Sequence, residues 1–255
     1  MNTGSWTPLE QSRFEATVAR GLPALHRLAR RLERSDADGD DLVQETLERA
    51  WRDRLQVGTG AGLAAWLERA VVRQAVDSLA QELARSLDDP HPDQQLLPDV
   101  GDLAALRERA GDQKAVREGL RQLPFADRLT VVLCDGEGWS LTAVAELLRA
   151  PQGDARGRLK RARVRLIAAL DPASRQPAVG EERCRPYRVK AQALLDGELP
   201  AGEQGPLEDH LRTCGGCAAS LLAATAVWEG LAQRPLAHLG EELRQALAAV
   251  VEGQG

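Results

Sequence analysis

The sequence predicts an all-α protein, and three observations support this. Ala, Leu, Arg and Glu, which favour helices, dominate the 255 residues. β-Branched residues are sparse and aromatic residues make up only 3%, so a sheet has little to build on. Apolar residues also recur at helical spacing, as at Leu42, Val43, Leu47, Ala50 and Trp51. Because 43% of the residues are hydrophobic, the helices should pack around cores.

Two segments have the composition of linkers. Ser86–Asp102 contains three prolines and a cluster of acidic residues, and Asp171–Arg183 contains two prolines among small and polar residues. We therefore predict three helical domains and two linkers: domain 9–87, linker 88–110, domain 111–171, linker 172–183 and domain 184–255.

The first domain is expected to contain four helices, divided by glycines and helix-capping residues. Their predicted bounds are Leu9–Arg20, Leu22–Arg34, a helix capped by Asp38 that runs to about Val57, and a long helix that starts near Leu63.

The second domain is expected to end in a helix–turn–helix. Ser140 is a suitable N-cap for a helix over Leu141–Arg149, and Pro151 suits the first position of a last helix that runs to Leu170. The third domain is also expected to be helical, with a turn over Asp196–Pro206 and two apolar-rich helices near Leu221–Gln233 and Leu236–Val250.

Charge is distributed unevenly along this chain of net charge −5. Residues 140–170 hold seven basic and two acidic residues, a net +5, whereas residues 176–255 have a net charge of −4. In a helix–turn–helix the second helix enters the major groove, so a basic second helix favours DNA binding. The alternative is a solvated basic helix in a small bundle. The candidate DNA-binding residues are Arg156, Arg158, Lys160, Arg161 and Arg163.

Two segments carry a resemblance to a known family. Leu123–Leu170, with its Gly138-Trp139-Ser140 turn and the basic run Arg158–Arg163, resembles the promoter-reading domain 4 of extracytoplasmic-function (ECF) sigma factors. Asp41–Trp51 resembles the most recognisable helix of sigma domain 2, which in that family docks on the largest subunit of RNA polymerase. The resemblance implies a transcription initiation factor, not an enzyme, with core RNA polymerase and promoter DNA as partners. Its candidate polymerase-binding residues are Asp41, Gln44, Glu45 and Arg49.

Some positions depart from the family pattern. Arg73 stands where the family usually has Asn, the segment Ala80–Arg85 lacks the usual Arg-rich character, and Asp154 lies near the start of the basic helix. Fewer cations and an added carboxylate weaken attraction to phosphates. These departures leave open a degenerate sigma-like adaptor or decoy that does not open promoters. Further alternatives are a helix–turn–helix repressor and, more remotely, an oxidoreductase built on Cys214 and Cys217.

A cluster of three cysteines and one histidine predicts a metal site in the third domain. His210, Cys214 and Cys217 follow one another at near-turn spacing, so they could face one side of a helix end, and Cys184 would supply a fourth ligand. Three thiolates and one imidazole match a closed tetrahedral Zn²⁺ site. The alternative is three unrelated cysteines. Cys134 is predicted to be a core residue.

The surroundings of this cluster, about Cys184–Leu222, resemble the zinc-binding domain of anti-sigma factors. The resemblance implies a module that contacts the sigma domains of its own chain and regulates them. No secretory signal or membrane-spanning segment is evident from the sequence, so we expect a cytoplasmic protein without a membrane partner.

Overall fold

The computed structural model describes residues 6–54, 58, 60–87, 96–173, 182–233 and 241–252. The all-α prediction is confirmed, since the regular elements among these residues are helices and no strand is present. The chain forms two compact units, Met1–Asp89 and Pro90–Gly255. Unit 2 therefore contains both the segment that resembles sigma domain 4 and the cysteine-rich segment.

The described residues of unit 1 form three packed helices and a short fourth: α1 (Pro8–Leu32), α2 (Asp36–Arg52), α3 (Ala61–Ser78) and α4 (Ala80–Leu87). Helices α1, α2 and α3 contact one another pairwise. They bury an apolar core whose members, spaced at helical intervals, include Leu28, Leu32, Val43, Leu63, Leu67 and Val71.

Helix α1 differs from the prediction, which placed two helices on either side of Gly21. It is continuous from Pro8 to Leu32 and contains Pro23 in its interior. Residues on both sides of Pro23, such as Phe14 and Leu28, are buried, and this packing offsets the backbone hydrogen bond that proline cannot make.

Unit 2 contains nine described helices, with one π-turn. They are α5 (Leu103–Gly111), α6 (Gln113–Arg121), α7 (Phe125–Val131, extended by a π-turn over Val132–Gly136), α8 (Leu141–Leu148), α9 (Gln152–Leu170), α10 (Arg185–Leu195), α11 (Ala201–Leu211), α12 (Gly215–Ala232) and α13 (Glu241–Glu252).

The helix–turn–helix is made by α8 and α9. The Ser140 side chain accepts a hydrogen bond from the Ala143 amide at 3.2 Å, so the predicted N-cap is confirmed. Arg149, just after α8, adopts a left-handed conformation with φ of 52°, and Pro151 is the N-cap of α9. The two helices contact each other after this turn.

The predicted turn over Asp196–Pro206 is shorter than expected. Helix α11 already begins at Ala201, and Pro206 lies inside it. The predicted linker 88–110 also contains more structure than expected, because α5 occupies its last third. Most of the predicted linker 172–183 lies outside the described residues.

Helix α12 is the centre of unit 2. It contacts α5, α9, α10 and α13 as well as the π-turn. A Cβ atom on Gly230 would lie 2.0 Å from the carbonyl oxygen of Ala110, so α12 and α5 approach as closely as backbones allow. Among the described helices, α12 alone has the length and mean hydropathy (1.2) of a membrane span, yet 56% of that window is buried within the protein.

Candidate metal centre and nucleic-acid interface

The four predicted metal ligands come together in one cluster. The ligand atoms of Cys184, His210, Cys214 and Cys217 all lie within 4.8 Å of one another. Three helix boundaries place them: Cys184 precedes α10, His210 lies near the end of α11, and Cys214 and Cys217 lie at the start of α12. The expectation that three ligands share one helix end was wrong, because a turn at Arg212–Thr213 separates α11 from α12.

The donor atoms of the cluster suit a metal ion. The Cys184 and Cys214 sulfur atoms are 3.8 Å apart, and two thiolates on a tetrahedral Zn²⁺ with bonds of ~2.3 Å would be separated by about that distance. The buried Nε2 atom of His210 has no hydrogen-bond partner in the structure. A buried imidazole nitrogen without a partner is costly unless a ligand occupies it.

Neighbouring groups orient the histidine and set the protonation of the cluster. The Tyr187 ring stacks on the His210 ring, with centroids 3.8 Å apart and planes 2° from parallel. Burial lowers the pKa of His210, which favours the neutral imidazole that binds metals. Burial also raises the pKa of the Cys184 and Cys217 thiols, so metal binding must displace protons from them.

Cys134 lies outside this cluster. Burial and the nearby Asp135 carboxylate raise the pKa of its thiol to about 12, so the thiol is protonated at neutral pH. It lines a cleft of about 200 Å³ between the π-turn, α9 and the turn after α10.

Three of the five candidate DNA-binding residues on α9 are not exposed to solvent in this structure. Arg158 and Arg161 are only 3% and 5% exposed, and Arg163 lies mostly buried. The Arg158 guanidinium is 3.4 Å from a carboxylate oxygen of Asp127. Sequence reasoning placed these cations on most sides of the helix and therefore missed that α9 also forms part of the core.

The segment that carries the metal cluster, residues 184–232, also contacts α9. Arg163 makes a double hydrogen bond to Asp135 at 2.7 and 2.8 Å and also pairs with Asp196, which follows α10. Its guanidinium lies 5.3 Å from the ring centroid of Trp228 on α12. Arg156, which is about half exposed, pairs with Glu198. Asp196 and Glu198 are functional candidates that the sequence could not identify, because no local pattern indicates their partners.

The buried pair of Arg158 and Asp127 should contribute to the stability of unit 2 rather than to DNA binding. Removing one member of a buried ion pair leaves an uncompensated charge, but Asp127 also accepts a hydrogen bond from Arg165. We therefore expect Arg158→Ala to lower the free energy of unfolding of unit 2 by about 2–3 kcal/mol. Urea denaturation followed by circular dichroism would measure this, with the exposed Arg156→Ala as control. Equal stability of the two variants would contradict a stabilising role for the pair of Arg158 and Asp127.

The four candidate polymerase-binding residues share a solvent-exposed face of α2. Asp41, Gln44, Glu45 and Arg49 are all exposed, whereas the opposite face buries Leu42, Val43, Thr46 and Ala50. Spacing of three to four residues aligns the exposed set along one stripe, as a helical docking surface requires.

Two segments of the chain match known protein families. Residues 17–85 match the family model "Sigma-70 region 2", and residues 184–218 match the family model "Putative zinc-finger". The ECF RNA polymerase sigma factor SigM of Mycobacterium tuberculosis is 33% identical over 160 residues, a match that covers 62% of this chain and 76% of SigM. The chain belongs to the ECF RNA polymerase sigma factors.

Two further proteins are similar to this ECF sigma factor. SigE of Mycolicibacterium smegmatis is 31% identical, over 60% of this chain and 60% of SigE. The sigma factor RpoE of Bartonella quintana, solved in complex with the anti-sigma factor NepR, matches with a TM-score of 0.43 and 25% identity over 61% of this chain and 95% of that chain. This ECF sigma factor is a transcription initiation factor with a fused zinc-finger-type domain, and no observation favours the adaptor alternative.

Proposed function

We propose that this ECF sigma factor carries its own inhibitor, a zinc-binding module over residues 184–252 that covers the promoter-reading helix α9. One observation carries the proposal: Asp196 and Glu198 of the module pair with Arg163 and Arg156 of α9. The Glu198 carboxylate occupies Arg156, which would otherwise meet DNA phosphates, and both carboxylates repel the phosphates themselves.

Zn²⁺ is the metal that fits the cluster best. Three thiols and one imidazole form the donor set of a closed structural site, and the unpartnered Nε2 of His210 supports a ligand at that position. The bound ion would hold four ligands from three helix boundaries together and would supply folding energy to a small module.

The proposed contacts with polymerase lie on α2 of unit 1, and the proposed contacts with the promoter lie on α9 of unit 2. The exposed stripe Asp41, Gln44, Glu45 and Arg49 on α2 is proposed to dock on core RNA polymerase. On α9, Arg156 and Lys160 are the most accessible of the candidate cations and are proposed to contact the DNA backbone. Arg158, Arg161 and Arg163 then position α9 rather than touch DNA in this conformation.

The strength of the closed state comes from two kinds of contact. The Arg156–Glu198 pair is about half exposed on both sides and contributes ~0–1 kcal/mol. The contacts of Asp196 and Trp228 with Arg163 are more buried and less screened by solvent, although the cost of desolvating the two charges offsets part of their attraction. A tethered module acts at an effective concentration near millimolar, so even weak contacts can keep α9 covered.

Neutralising Asp196 and Glu198, which we call the acidic turn, should activate the sigma factor. We expect the double variant Asp196→Asn and Glu198→Gln to increase promoter binding and run-off transcription by about 5- to 30-fold, the equivalent of removing ~1–2 kcal/mol from the closed state. Arg163 keeps its partner Asp135, so α9 should remain folded. The measurement is run-off transcription with core polymerase at equal concentrations of folded protein.

A matched control separates this effect from a general loss of negative charge. Glu208→Gln and Asp209→Asn remove the same charges from α11, where both residues pair with Arg212 and not with α9. Control and test variants with the same transcription would contradict inhibition by the acidic turn.

A further inference from the structure

A non-helical segment near the start of unit 2 is held against the zinc-binding module. Residues 96–102 lie outside the helices and precede α5; they are called the linker below. The Ser220 hydroxyl of α12 donates a hydrogen bond to the carbonyl oxygen of Pro98 at 2.7 Å. The Arg188 guanidinium of α10 donates to the carbonyl oxygen of Leu97 and pairs with the Asp99 carboxylate.

We propose that the starts of α10 and α12 form a binding site for an extended segment, and that its occupant is Leu97-Pro98-Asp99 of the same chain. The site has the parts that such a ligand needs. It buries an apolar side chain, since Leu97 is 1% exposed, it donates to two consecutive carbonyl groups, and it binds a carboxylate through Arg188. The inference rests on the proposed function, because it assigns to the same module a hold on the linker as well as on α9.

Arg188 shows that this contact is built into the module. It is 2% exposed, and burying a guanidinium is costly unless its charge is paired and hydrogen-bonded. Its partners include two linker residues, Leu97 and Asp99, and Ser220 of the module at 3.2 Å. Loss of the linker would leave this cation buried without those acceptors, so linker and module stabilise each other.

The metal cluster fixes the two helix starts that make the site. The Arg188 amide donates to the carbonyl oxygen of Cys184, one turn earlier on α10. Ser220 follows Cys217 by three residues on α12. A metal ion that joins Cys184 to Cys217 would therefore hold Arg188 and Ser220 at the spacing that receives the linker, and metal loss would release it.

The other end of the segment is held differently. The buried Asp171 carboxylate at the end of α9 accepts a hydrogen bond from the Gly101 amide at 2.7 Å. This anchor belongs to the helix–turn–helix and does not use the zinc module. Only residues 97–100 should therefore depend on the metal, while Gly101 should stay in place.

Release of the linker would extend the reach between the two sigma domains. Nine residues, 88–96, span at most about 30 Å when fully extended, at roughly 3.3–3.6 Å per residue. Freeing residues 97–100 would add about 14 Å. The hold on residues 97–100 therefore shortens the length of chain that is available between the two sigma domains.

Hydroxyl-radical footprinting tests the proposal on the full chain, because the oxidation rate of Leu97 reports the exposure of its side chain. Arg188→Gln, Asp99→Asn and treatment of the wild type with a zinc chelator should each raise the oxidation of Leu97 several-fold. Leu120, fully buried against other parts of unit 2, should stay protected in the two variants. Lys190→Gln is the matched control, since it removes a cation from the same helix that pairs with Glu203 instead.

Asp99→Asn decides the outcome if Arg188→Gln loses its zinc, because this change lies in the linker and leaves the module's side chains intact. A Leu97 that stays as protected in Asp99→Asn as in Lys190→Gln would overturn the proposal. Inhibition through Asp196 and Glu198 is measured by transcription of separate variants, so either result can fail without the other.

Discussion

Reversing the charge of the exposed face of α2 should abolish binding to core RNA polymerase. In the double variant Asp41→Arg and Glu45→Arg, two carboxylates that are fully available to a partner become cations, and no buried residue changes. Like charges placed across an interface cost several kcal/mol, so the reversed face should no longer bind its partner. Co-purification of the tagged sigma factor with core polymerase would measure the effect.

A control on another helix tests whether the position of the charge matters. Gln11→Arg and Glu15→Arg raise the charge by three, against four in the test variant, on the exposed side of α1, where the Gln11 side chain donates a hydrogen bond to Glu15. This control should bind polymerase as the wild type does. Undiminished binding by the α2 variant would show that this face of α2 does not bind polymerase. Loss of binding in both variants would indicate a non-specific effect of charge.

Removing the metal should unfold the zinc-binding module. We expect about one Zn²⁺ per purified chain, the stoichiometry of a four-ligand site. Apparent binding free energies of ~10–16 kcal/mol are typical for structural zinc, so a chelator or Cys217→Ser should cause the loss of α10 and α11. Elemental analysis would count the metal, and circular dichroism would follow the helices.

Cys134→Ser is the matched control for metal loss. It removes a thiol from the same unit but outside the cluster, where burial holds the thiol pKa at about 12. This variant should keep its metal and its helices. Full helicity of Cys217→Ser without metal would leave zinc without a structural role.

Local signals in the sequence were sufficient for several features. Ser140 before an apolar helix predicted its N-cap, and the spacing of His210, Cys214 and Cys217 predicted a cluster without any knowledge of the fold. Both predictions depend on residues within one or two helical turns of each other, and at that range the geometry of the backbone determines which groups meet.

Features that depend on distant partners could not be predicted. Arg158 was expected to face DNA, yet its partner Asp127 lies 31 residues earlier in the chain. Pro23 was close to a predicted break, but packing of α1 on both of its sides keeps the helix intact. Residues 103–110 were likewise placed in a linker by the predicted domain bounds, because nothing within that segment indicates its packing against α12.

The close approach of Gly230 to Ala110 has a consequence for how such a protein could be shortened or divided. Because α12 supplies the surface on which α5 folds, the buried side chains of Leu106 and Ala110 would be left in water if the chain ended after Arg175. A shortened gene would therefore encode an unstable promoter-reading domain rather than a constitutively active one. The inhibitor and the domain it covers would have to be inherited, expressed and degraded together.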